Sequence, residues 1–548
     1  MNPTTKANAP HDRRAATLVM ACVGVFVAYL PVTTVSASLP AIQRALGAST
    51  SELAWVSDAF VLPMAALILT AGVFGEVHGR KKVYQAGLAL SGIGALVALC
   101  AQNVQVVWAG QALAGLGAAA LMPTTLALIS HAVPDPRERG RFIGLWATAL
   151  TAALALGPVI AGTVLNHVDW RWIYLLPVPA SLLASACGAK LLTDSRAPGV
   201  RRLDWPGQIT AALTITALVY GIIEGGAASF SDVKVMVALS TAAVGAVAFV
   251  LVERSSADPM LDLTLFGSPA FTATTLIAMI SFLGLIGFFF ALSLYFGLVQ
   301  QLSTLDAAWR LLMVTMVPLV LGAPVGRLVH RVSPRLLIPG GLLVATVALL
   351  TLTDIGVHTS FGSLAWRLAL LGLGMAFVIT PMTATAVSSV PFHQAGMAAA
   401  GNNAFRQVGA ALGPAVLGAL LTTRAVDALP GHLTDAGLSG RTVQHVTTLA
   451  EQGGIGAVGG ADLGADTPRV LGALSEAFLD GLHLCLVVAA VLTLLAAAVG
   501  AVLLRRPTHT APPAIVTPRP GAAGESPTGT PAQGHDDAGS LAGSHSGG

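Results

Sequence analysis

The sequence predicts an all-α polytopic membrane protein of about fourteen transmembrane helices arranged in two related halves. Three observations carry this. The mean hydropathy is +0.76, with 54% hydrophobic and only 10% charged residues. Apolar runs repeatedly exceed the ~20 residues needed to cross a bilayer. Short motifs also recur in corresponding runs of the two parts of the chain. In lipid every backbone amide must be satisfied within its own segment, so such runs are helices, and the residue alternation of an outer-membrane barrel is absent. A soluble fold is excluded.

In chain order, residues 1–16 form a polar N-terminus, MNPTTKANAPHDRRAA. No clear small-residue cleavage site follows, so the first apolar run, 17–39, reads as an uncleaved helix rather than a signal peptide. Runs at 54–74, 83–101, 105–130, 141–165 and 171–192 complete a first half, 17–192. A linker, 193–255, contains two further spans at 208–226 and 233–252. The second half, 256–504, contains runs at 271–298, 307–329, 336–354, 363–388, 396–421 and 480–504. Its segment 422–479 has no run long and apolar enough to span and reads as a flexible external loop. Within that loop GGIGAVGG places Gly454, Gly456 and Gly459 at GxGxxG spacing, but no strand precedes them, so the dinucleotide signal is false. The tail, 505–548, is rich in Pro, Gly, Ser and Thr and reads as disordered.

Charge sets orientation. Arg80, Lys81, Lys82, Arg137, Arg139, Arg141, Lys190, Arg254, Arg327, Arg331 and Arg335 share one set of short loops, which places that set and both termini in the cytoplasm of a plasma-membrane protein. A net charge of +3, confined to loops and chain ends, gives no surface for nucleic acid. Cys22, Cys100, Cys187 and Cys485 lie in or beside apolar runs without CxxC spacing and read as packing residues. The histidines have no metal-ligand spacing, and no nucleophile–base constellation or Walker sequence is present. No cofactor, metal or enzymatic activity is expected.

Two recurrences organise the chain. ALGPVIAG at 155–162 returns as ALGPAVLG at 411–418, and GVFGEVHGRKK from Gly72 has a weaker echo, GRLVHRVSPR, from Gly326. In both pairs the copy lies eight spans further on, so six helices repeat with two inserted between them. Duplicated helical halves around a midplane site are how secondary transporters alternate access.

These residues resemble the major facilitator superfamily and, within it, the fourteen-helix drug:proton antiporter family. The resemblance runs from about Phe26 to Leu504 and rests on SLPAIQRALGAS followed by ELAWV, GVFGEVHGRKK, QALAGLGAAALMP, RERGRFIGLWA, ALGPVIAG, DWRWIYLLPVP, DPMLDLTLF and FRQVGAALGP. It implies a major facilitator fold that binds a small molecule within the bilayer and exchanges it for protons, as a monomer. It identifies Gly72, Glu76, Gly79, Arg80 and Lys81 with a cytoplasmic gating loop, where Glu76 replaces the usual aspartate and His330 takes the corresponding slot of the second half. Gly157, Pro158 and Gly162 match the antiporter motif of the fifth span, with Ala153 and Ala161 where glycines are usual, which implies a stiffer hinge.

The first span departs from the family pattern. In YLPVTTVSASLP, Pro31 stands where the family has an aspartate and Ser36 where it has an asparagine, while Gln111 and Ala114 replace the fourth-span arginine and glutamine. Losing both charges together is coherent, because losing one would strand the other in a medium where an unpaired ion costs several kcal/mol.

If protons couple transport, another acid must serve. Asp58, about five residues or roughly 8 Å into the second span, is the first candidate, since Pro31 is only somewhat deeper at roughly 13 Å. Glu224 and Asp480 follow. For each, an interfacial carboxylate reaching headgroup water is the alternative reading. Thr33, Ser36, Gln111, Asn402, Asn403 and Arg406 are candidate cavity residues, Arg406 as the deepest charge. Thr33, Thr34, Ser36 and Ser38 either line the cavity or bond their own helix, the second being favoured for at least two of them. Trp55, Trp146 and Phe405 are candidate apolar contacts. The expected function is export of a small amphipathic compound. An uncoupled or uptake carrier and a transport-inactive membrane sensor or scaffold remain as alternatives.

Overall fold

The computed structural model describes residues 10–133, 136–195, 203–227, 229–328, 331–390, 394–459 and 464–504. The readings of residues 1–9, of His330 and of the tail 505–548 fall outside these.

Helix α1 (Pro10–Leu46) and α2 (Thr50–His78) open the chain. Gly47 takes φ +65° to turn out of α1, a conformation that suits glycine. Ser49 then caps α2 in a reciprocal box: its amide donates to Glu52 Oε2 at 2.8 Å while its hydroxyl accepts from the Glu52 amide. Next come α3 (Arg80–Leu99), α4 (Val104–Ala132), α5 (Pro136–Leu165) and α6 (Pro177–Leu191), followed by the inserted pair α7 (Trp205–Ala227) and α8 (Val233–Ser255). The second half comprises α9 (Pro269–Leu294), α10 (Thr304–Leu328), α11 (Pro334–Leu352), α12 (Phe361–Ser388), α13 (Ala395–Asp435), α14 (Gly440–Gly459) and α15 (Thr467–Leu503).

Among the described residues fourteen spans are long and apolar enough to cross a membrane; the sixth, Trp170–Leu191, is α6 together with the short 3-10 turn Trp170–Tyr174 before it, and α14 is not among the fourteen. The stretch expected as a flexible loop at 422–479 is largely helical. Helix α13 continues to Asp435, α14 packs against it, and α15 begins at Thr467. Leu429 and Leu433 of α13, Val446 and Ala450 of α14, and Val470 and Ala473 of α15 share a separate buried cluster. Apolar residues at helical spacing on three short stretches make this core, which a search for membrane-length runs passes over.

The duplication is visible in the packing. Helix α1 packs on α5 as α9 packs on α13; α2 on α4 as α10 on α12; α3 on α4 as α11 on α12. The halves meet through α2 against α13 and α5 against α10, the same pairing seen from either side of a pseudo-twofold. Their close approaches cluster at the end carrying the α1–α2 turn. A Cβ on Gly162 of α5 would stand 2.5 Å from Leu305 Cα of α10, and one on Gly297 would collide with Pro40. That end is closed.

Helix α7 touches both halves. Gln208 donates to the Ala66 carbonyl of α2 at 2.8 Å and accepts from Thr70. At its other end Gly226 lies against Ala419 of α13, where a Cβ would stand 2.5 Å from Ala419 Cα.

Candidate functional site

The deepest polar cluster joins α1 to α13. Tyr29 is a phenol inside an apolar span, and a buried phenol seeks a hydrogen-bond partner. Its oxygen accepts from Arg406 Nη2 at 3.0 Å and from Gln407 Nε2 at 2.7 Å. Arg406 also donates to Asn403 Oδ1 and lies over the Phe282 ring, 4.9 Å from its centre. Asn402 turns to α9 and donates to the Thr274 carbonyl at 3.2 Å. Of the predicted cavity residues, Asn403 and Arg406 thus come together, with Tyr29 as a partner that sequence reasoning did not single out. The signal was present: Tyr29 opens the quoted stretch two residues before Pro31 and is the aromatic hydroxyl of that span.

The other hydroxyls of α1 behave differently. Thr34, Ser36 and Ser38 each donate to the carbonyl four residues earlier, at 2.8, 2.8 and 2.7 Å. Thr33 Oγ1 is buried without a partner and faces Gly157, where a Cβ would collide with it. The small residue of the α5 motif therefore serves close approach of α1 to α5. Pro158 follows inside α5, and Gly162 seats the α5–α10 contact at the closed end.

The three candidate acids have distinct surroundings. Asp58 of α2 is 0% exposed, and neither carboxylate oxygen has a hydrogen-bond partner. It lies one turn below Ala54, which with Ala415, Gly418 and Ala419 lines a small concavity between α2 and α13. Gln111 of α4 reaches the same helix and donates to the Val56 carbonyl at 3.3 Å. Glu224 accepts from Trp55 Nε1 at 3.4 Å, beside the tilted pairs Trp55–Trp108 and Trp55–Tyr220. Asp480 pairs with His432 Nε2 at 3.0 Å, tying α15 to the extension of α13. Trp146 donates to Thr125 Oγ1 at 3.0 Å, and Phe405 packs edge-on against Phe266.

At the other end, Gly79 adopts φ +110° between α2 and α3. A Cβ there would stand 2.6 Å from Asp194 Oδ2. Asp194 Oδ1 accepts the Lys81 amide at 3.2 Å, Lys81 Nζ donates to the Ala189 carbonyl at 2.7 Å, and Arg80 Nη1 donates to the Ala127 carbonyl at 3.3 Å. Gly72 meets Pro123 of α4. Glu76 forms no ion pair among the described residues. Asp194, three residues past the end of α6 and outside any motif, carried no sequence signal.

Two pseudo-symmetric six-helix units, an inserted pair and a polar cluster joining the units at mid-span give the context for the comparisons with known proteins. The profile of the Major Facilitator Superfamily matches residues 21–414. The chain belongs to this superfamily. It is 31% identical to the multidrug resistance protein Stp of Mycobacterium tuberculosis over 77% of this chain and 78% of that protein. It is 30% identical to the tetracenomycin C resistance and export protein of Streptomyces glaucescens over 90% and 92% of the two chains. Identity to the puromycin resistance protein of Streptomyces alboniger is 33%, over 78% and 85%. Among solved structures, a bacterial homologue of the human lysosomal transporter Spinster, inward-facing and unoccupied, superimposes with a TM-score of 0.62 at 15% identity, covering 90% of this chain and 97% of that one. The last comparison shows the fold alone. These relatives and the fourteen spans accord with the drug:proton antiporter branch of the major facilitator proteins.

Proposed function

We propose that this major facilitator protein exports a small amphipathic compound across the plasma membrane by alternating access, exchanging it for protons at Asp58. The observation that carries the coupling is the complete burial of Asp58 with both oxygens unpartnered, on the helix that packs against α13 of the opposite half. An ionised carboxylate so placed lacks both water and counter-charge and costs several kcal/mol. A closed interface of this kind accommodates the protonated acid. Parting α2 from α13 hydrates it and lets the proton leave. Protonation is thereby linked to which end of the molecule is open, which is what antiport requires.

The orientation expected from the positive loops would put the closed end outside. The resistance and export names of the relatives support outward transport. The direct test is retention of cationic, neutral and anionic dyes by an efflux-deficient host expressing the protein, with and without a protonophore. Lower retention that is abolished by the protonophore supports the reading; retention unaffected by expression across the panel overturns it.

One observation favours a second reading. Pro31 and Gln111 replace the family's intramembrane charge pair, which suits a carrier without proton coupling. Export that lowers dye retention equally with and without protonophore would select it.

A further inference from the structure

Arg406 carries a charge that no described residue offsets. It is 7% exposed, and its guanidinium is held by a phenol, an amide oxygen and an aromatic face, none of them anionic. Among the described residues no carboxylate lies within ion-pair distance of it. Its Nε is buried without a hydrogen-bond partner. A guanidinium does not give up its proton, so the desolvated charge remains.

The surrounding polar atoms are donors as well. The Tyr29 oxygen already accepts two hydrogen bonds, which leaves its own O–H to donate. Gln407 and Asn402 present their amide NH2 groups to Tyr29 and to the Thr274 carbonyl. Two residues from Tyr29, Pro31 leaves no carboxylate to compete for these donors.

We propose that this cluster receives an anionic group of the transported compound, a carboxylate carried on an apolar body. The anion takes the unpartnered Nε edge of Arg406 and accepts from the Tyr29 hydroxyl, while apolar helix surface around Phe282 holds the rest. The proposal rests on the export reading and names its substrate class. A charge-assisted hydrogen bond in a desolvated site discriminates strongly against analogues that lack the acceptor, because the arginine is then left unpaired.

The test is equilibrium binding to the purified full-length protein in detergent of three probes that differ in one group: pyrenebutyrate, its methyl ester, and the corresponding trimethylammonium pyrene, read by energy transfer from tryptophan. The carboxylate is expected to bind about tenfold tighter than either analogue. In Arg406→Gln that preference disappears while ester binding stays within about twofold, and Arg406→Lys restores part of it. Equal affinities, a preference for the ammonium probe, or no carboxylate binding by the wild-type protein would overturn the proposal without any variant needing to fold. Binding is measured without a proton gradient. Carboxylate preference combined with gradient-independent transport would therefore refute the coupling alone, whereas proton-driven export of cationic dyes only would refute the anion site alone.

Discussion

The hydroxyl of Tyr29 accepts hydrogen bonds from Arg406 at 3.0 Å and Gln407 at 2.7 Å, a link across 377 positions of sequence that joins the first helix of one half to the fifth of the other. Replacing Tyr29 by Phe takes the acceptor from one N–H of Arg406, whose Nη2 keeps Asn403, and from one of Gln407, and a buried donor left unsatisfied costs about 1–3 kcal/mol. Tyr29→Phe is expected to lower the thermal midpoint of the purified protein by several degrees. Adding Gln407→Leu, which removes one stranded donor, should recover part of the loss; a double variant that loses the full sum of both single effects would contradict the link.

Gly157 and Thr33 form a second pair. A methyl at Gly157 collides with Thr33 Oγ1 and would stand 3.0 Å from the Thr34 amide, and overpacking of this kind costs about 1–3 kcal/mol. Gly157→Ala should therefore destabilise the protein, and Thr33→Ala in the same chain should relieve most of the effect. Denaturation midpoints of the two single variants and the double variant decide this.

Gly162 belongs to the contact between halves, not to the core of either. Gly162→Val should open the closed end while leaving each half folded. Spin labels at the exposed positions His167 and Gln301, which flank that end on opposite halves, should show a longer distance in the variant. An unchanged distance distribution would remove the α5–α10 contact from the closure.

At the opposite end, Gly79→Ala must place a side chain at φ +110° and displace the Asp194 carboxylate. Strained positive-φ positions cost of order 1–3 kcal/mol. Asp194→Ala, which removes the obstructing carboxylate but not the backbone strain, should rescue Gly79→Ala only partly in transport assays. Full rescue would show that the φ angle carries no cost.

Asp480 pairs with His432 at a part-exposed site, with side-chain exposures of 38% and 29%, where an ion pair contributes about 0–1 kcal/mol. Asp480→Asn should change stability slightly and leave proton-driven export intact. Loss of coupling in that variant would reassign the coupling acid.

The membrane helices were legible because hydropathy over twenty residues has one structural outcome in lipid. The duplication was legible because ALGPVIAG and ALGPAVLG face equivalent neighbours, α1 and α9. What sequence reading could not supply was partnership at a distance. Arg406 was recognisable as a deep charge, but nothing local pairs it with Tyr29, and nothing in the loop after α6 marks Asp194 as the group against Gly79. The helical outer segment was hidden for a different reason. Its apolar stretches are short, interrupted by glycine and packed against one another.

The most direct measurement is gradient-driven movement of pyrenebutyrate in liposomes reconstituted with the wild-type protein or Asp58→Asn, under an imposed pH difference and with a protonophore control. Wild-type liposomes should accumulate the probe against its gradient and lose it on protonophore addition, whereas Asp58→Asn should only equilibrate it. Accumulation by Asp58→Asn equal to that of the wild type would show that the buried carboxylate of α2 does not carry the proton.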